Sequence, residues 1–130
     1  MTKPKPDVIE YVRQLAALLS LDHWRIDLDP IPAAEDATAQ IRVIEGQQRA
    51  MLQLGKEYPT LTPDDQRSTI LHELIHIFLW PPTETVTHIA SVLSRDAYTI
   101  FEAAHNLAIE RATDALAVAV AGLFPLPKGG

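Results

Sequence analysis

Apolar and polar positions along the chain change period several times, and each change predicts an element. Val8, Val12, Leu15, Leu18 and Leu19 recur at helical spacing after Asp7, a residue able to cap, so a helix is expected from there through about Ser20. Trp24 to Asp29 alternates instead, with Trp24, Ile26 and Leu28 on one side, which predicts a strand ended by Pro30 and Pro32. Thr38–Glu45 and Ala50–Leu54 read as two more strands, and Gly46-Gln47-Gln48 between them makes 38–54 a hairpin. Thr62, Pro63, Asp64 and Asp65 form a strong helix start, and the helix they open should run from about 63 to 80, where Pro81-Pro82 stops it.

From Pro82 to Leu123 almost every residue suits a helix. Forty residues in one helix would span about 60 Å, too long for a domain of this size. A break is therefore expected near Ser94-Arg95-Asp96, leaving helices at about 84–93 and 97–122. Prolines and glycines mark residues 1–6 and 124–130 as flexible tails of a single domain spanning 1–130. The expected class is α+β: an N-terminal helix, a small antiparallel three-stranded sheet, a central helix and C-terminal helices.

Composition narrows the chemistry. Hydrophobic residues make up 47% of the 130, enough for one real core. A formal net charge of −6 without a dense Lys/Arg block argues against nucleic acid as a partner. The absence of cysteine excludes disulfides and leaves His and carboxylate oxygen as the donors for a metal. The first residues lack the apolar run of a signal peptide and no 18-residue apolar span occurs, so a soluble cytoplasmic protein without membrane contact is expected.

The central helix carries His72-Glu73-Leu-Ile-His76, a single H-E-x-x-H. A four-residue step turns a helix by about 400°, so both imidazoles leave one face a turn apart. Two neutral imidazole nitrogens placed so can bind Zn²⁺, and Glu73 beside the first can take a proton from a water that the ion acidifies. Ile70, Leu71, Leu74, Ile75, Ile77 and Phe78 are expected to cover the opposite arc, which sets the polar face apart.

Zinc in a catalytic site takes a third protein ligand. The six residues after His76 place Leu79 and Pro82 where the metzincin pattern demands Gly and His, so that class is excluded. The candidates downstream are Glu84, His88, Glu102, His105 and Glu110. Glu110 has the best surroundings: it opens Glu110-Arg-Ala-Thr113-Asp114, two carboxylates one turn apart on an otherwise apolar helix. One can reach the metal while Asp114 accepts the free N–H of a ligating imidazole.

These residues resemble the zincin metallopeptidases, and specifically a minimal gluzincin. His72-Glu73-x-x-His76 and Glu110-x-x-Thr113-Asp114 match H-E-x-x-H … E-x-x-[ST]-D, and the resemblance covers roughly residues 20–120. Small stand-alone proteins of this type are encoded by bacteria, phages and prophages, and the Glu110 segment is also similar to the ImmA/IrrE group. The resemblance implies a zinc-dependent peptidase acting on a protein or peptide. His72, His76 and Glu110 would be its ligands, Glu73 its general base and Asp114 the orienting group. It also implies that an extended substrate pairs with a sheet edge, assigned here to Met51, Leu52 and Gln53 of the third strand. Tyr98, Tyr58 and Arg111 are the candidates for an oxyanion contact. The competing expectation is a non-catalytic regulatory or adaptor module of a mobile element, in which zinc staples helices and Glu73 is dispensable.

Overall fold

The computed structural model describes residues 6–44 and 46–127, with side chains from residue 8. In chain order it contains α1 (Pro6–Leu18), β1 (Arg25–Leu28), β2 (Ala39–Ile44), β3 (Arg49–Leu54), α2 (Pro63–Phe78), α3 (Trp80–His88) and α4 (Arg95–Val120), with short 3₁₀ turns at Tyr58–Thr60, Ile89–Ser91 and Ala121–Leu123. The α+β class is as expected. Residues 1–5 and 128–130, most of the two expected tails, lie outside the described residues.

The sheet departs from expectation. Its order is β1-β3-β2, with β3 antiparallel to β2 but parallel to β1, so it is mixed rather than antiparallel. The cause is the connection after β1. Asp29 N–H donates to the Leu52 carbonyl (2.8 Å) and Ala33 N–H to that of Leu54 (3.2 Å), so the chain follows β3 to its end before crossing. It returns as β2 on the far side, where Gly55 N–H donates to the Thr38 carbonyl (2.7 Å). A Cβ at Gly55 would collide with the Ala37 carbonyl oxygen, so only glycine permits this crossing.

Alternation sorts the sheet into two faces. Ile26, Ala50 and Leu52 turn inward onto Val12 and Leu15 of α1 and Ile70, Leu71 and Leu74 of α2, and these residues are the centre of the core. Arg25, Asp27, Arg42 and Arg49 turn outward, where Asp27 takes Arg25 at 3.0 Å and Asp29 takes Arg42 at 3.8 Å.

α2 begins as its sequence dictates: Thr62 Oγ1 accepts from Asp65 N–H (3.2 Å), Pro63 opens the first turn, and Asp64 and Asp65 face the helix dipole. It ends at Phe78, two residues early. Pro81 and Pro82 stop it by opening α3, since proline fits the first turn of a helix but not its interior. The second break falls where expected, with Ser94 Oγ accepting from Ala97 N–H at 3.2 Å to cap α4. The segment after Leu123 is tied down where a loose tail was expected. Arg67 Nη1 donates to the Phe124 carbonyl (3.0 Å) and the Tyr11 hydroxyl to that of Pro125 (2.8 Å), while Phe124 packs on the core. Burial pushes the Tyr11 hydroxyl up to about 12, with the nearby Arg67 charge opposing. Among the described residues, no helix is long and apolar enough to cross a membrane.

Candidate metal centre

α2 lies between the sheet and α4. Leu71, Leu74 and Ile75 anchor its buried side, and the same packing holds His72, Glu73 and His76 toward the gap between β2 and α4. A cleft of about 450 Å³ opens there, walled by Ala39, Ile41 and Val43 of β2, Trp80, Thr83 of α3, and Asn106, Ile109 and Glu110 of α4. A smaller hollow of about 290 Å³ continues it past His72 between Thr38, Thr69 and Asp114.

The three expected ligands meet in this cleft. His72 Nε2 and His76 Nε2 are 3.3 Å apart, Glu110 Oε1 is 3.0 Å from His76 Nε2, and Glu110 Oε2 is 3.4 Å from His72 Nε2. Their donor atoms all lie within 4.8 Å of one another, so the group could hold a metal ion. Donors at about 2.0–2.1 Å from a tetrahedral zinc are separated by about 3.3–3.4 Å from each other. The two imidazole nitrogens stand at that separation, and the Glu110 carboxylate spans them, one oxygen near each ring.

Asp114 stands where the turn spacing puts it, its Oδ1 2.8 Å from His72 Nδ1. An Nδ1–H donated to that carboxylate leaves the lone pair of Nε2 facing Glu110 and His76, the tautomer a metal requires. Burial lowers the pKa of His76, and the His72 ring adds to this while Glu110 opposes it, so His76 is held toward its neutral, ligating form.

Glu73 is one of two polar residues buried among the described residues. Desolvation, then the Glu110 charge, push its carboxyl up to about 8, and a hydrogen bond from the Ile41 backbone pulls the other way. Three carboxyl groups thus crowd two imidazoles. A divalent cation would balance the charge of the carboxylates among them.

The remaining candidates stay apart. His105 Nε2 bonds Thr83 Oγ1 (3.2 Å), Glu102 accepts from the Tyr98 hydroxyl (3.0 Å), and His88 lies 4.0 Å from Glu84. Tyr98 is three turns before Glu110, about 18 Å along the helix, and does not wall the cleft.

The assignment of Met51, Leu52 and Gln53 to a substrate edge is corrected. β3 is the central strand, paired on both sides, and Leu52 is fully buried. β1 and β2 are the edge strands, and the edge beside the cleft is β2. Because Thr38 accepts from Gly55 and pairing alternates, Ala39, Ile41 and Val43 turn their backbone groups away from β3, toward the cleft. Ile41 has already used its own on Glu73. Hydrophobic alternation located β2, but nothing in it tells an edge strand from a central one. Asn106 was also missed, although it stands one turn before Glu110 as Asp114 stands one turn after, a spacing the sequence displays.

No family model, curated protein or solved structure matches this chain. The function therefore has to be read from the chemistry of the cleft.

Proposed function

We propose that this protein is a zinc-dependent metallopeptidase of minimal gluzincin type, with His72, His76 and Glu110 as ligands. The observation that carries the reading is the convergence of these three side chains in one cleft with the buried Glu73 carboxyl beside them. When bound, the ion would acidify a water and polarise a substrate carbonyl.

Every other step belongs to the chain. Asp114 holds the His72 ring in its ligating tautomer. Glu73 accepts the proton of the attacking water and returns it to the leaving amine. A carboxyl raised by burial suits both halves of that cycle, because it gives up its proton as readily as it takes one. The Ile41 N–H fixes the carboxylate while Glu73 is charged. The free edge of β2 offers an extended peptide backbone partners at Ala39 and Val43, on either side of the position that holds Glu73. Protein or peptide is accordingly the proposed substrate class.

The competing reading is a zinc-stapled adaptor. It is favoured by one observation: the donors come from α2 and α4 alone, so an ion would clamp those helices together. Glu73 separates the two. Metal analysis of the purified protein should give about one zinc per chain, lost on Glu110→Ala. Cleavage of a mixed peptide library should disappear on Glu73→Gln with zinc retained. Zinc binding without cleavage by the unaltered protein would sink the peptidase and leave the adaptor.

A further inference from the structure

α4 carries a second feature that the metal centre does not use. Of its 26 residues only Thr113 and Ala117 are buried. On the side away from them, Ile100, Ala104, Leu107 and Arg111 follow at steps of four, three and four, within an arc of about 60°. Ile100 is 72% and Leu107 53% exposed. Large apolar side chains lined up in solvent are the informative exception to ordinary surfaces. The only charge in the stripe is Arg111, and no ion pair engages it among the described residues. Asp96, in the first turn of α4, is exposed about 60° around the helix from Arg111.

We propose that this face binds the same face of a second copy of the chain, antiparallel, about a two-fold axis at the Ala103–Ala104 step. In a two-fold antiparallel pair, positions equidistant from the axis meet. Ile100 and Leu107 lie three residues to either side of that step, and Asp96 and Arg111 lie seven to either side. One register thus sets Ile100 against the partner's Leu107 and Arg111 against the partner's Asp96, each twice. Ala103 and Ala104 at the crossing are small enough to let the axes approach to about 8 Å. An unrelated partner would have to supply both complements. The helix already carries them in one register, and that is the argument for a second copy. The overlap from Asp96 to Arg111 is about 24 Å long. Such a contact is at the small end of specific interfaces, so the dimer forms reversibly rather than permanently.

Sedimentation of the full chain from roughly 1 to 100 µM tests this. The mass should rise with concentration from 14.4 kDa toward twice that value. Ile100→Glu should hold the protein monomeric. Arg111→Asp and Asp96→Arg should each weaken association about tenfold at low salt, and the double exchange should restore it. Circular dichroism and melting of each variant separate lost pairing from lost folding, and the charge exchange stands on its own if Ile100→Glu fails to fold. A monomer at every concentration would overturn the proposal. So would a dimer indifferent to Ile100→Glu and Arg111→Asp, or an exchange that restores nothing.

Discussion

α2 and α4 both supply the candidate metal centre, yet they are held in opposite ways. α2 has Ile70, Leu71, Glu73, Leu74, Ile75 and Ile77 buried in 16 residues, and its two histidines are each mostly covered. α4 buries two residues in 26, and its Glu110 and Asp114 side chains remain 54% and 70% exposed. The histidines are positioned by the core whether or not an ion is present. The carboxylates arrive on a helix whose docking is weaker, so ligation itself would strengthen the α2–α4 contact. One wall of the cleft is built by packing and the other is completed by charge.

Four measurements can break or sharpen that contrast, taken from the largest expected effect down. Glu73→Gln should reduce peptide cleavage by about a thousandfold, the scale of a general base, while zinc content measured by metal analysis stays unchanged. If cleavage survives, the buried side of the site is not its catalytic side. Leu74→Ala, at a fully buried position, should cost about 3 kcal/mol in denaturant unfolding, whereas Leu107→Ala on exposed α4 should change stability by less than about 0.5 kcal/mol at concentrations where the chain is monomeric. Equal losses would mean that α4 is as much core as α2.

The third measurement is a pH series on metal-free protein. Glu73 has its carboxyl raised from 4.5 to about 8, so between those values the unfolded chain is ionised where the folded chain holds a proton. The stability due to the protonated folded form is fully present below about pH 4.5 and is lost as pH rises toward 8. Glu73→Gln should therefore stabilise the metal-free protein at pH 8 by on the order of 2 kcal/mol and have almost no effect at pH 4. An equal gain at both pH values would assign it to packing instead. The smallest effect belongs to the exposed wall: Asp114→Asn should weaken zinc binding about tenfold in a chelator competition without unfolding the protein. No change would mean that the 2.8 Å contact with His72 does not set the tautomer.

Several elements of this design are legible in the chain itself. Local chemistry decides them: Thr62-Pro63-Asp64-Asp65 starts a helix by capping and dipole, Ser94 starts another, and the four-residue steps His72–His76 and Glu110–Asp114 put each pair on one helix face. The junction at Leu79 is a half-success. Two prolines do end a helix, but the same fixed backbone angle suits the first turn of the next. Strand positions were also readable, because alternation needs only the chain's own pattern.

Tertiary structure alone decided the rest. Strand order depends on where a ten-residue connection crosses, and that rests on Gly55 meeting the Ala37–Thr38 backbone, an encounter between residues far apart in sequence. For this reason β2, and not β3, became the free edge beside the site. The raised carboxyl of Glu73 likewise has no local cause. It follows from burial under β2 and from Glu110 arriving 37 positions later, since desolvation and charge act through space rather than along the chain.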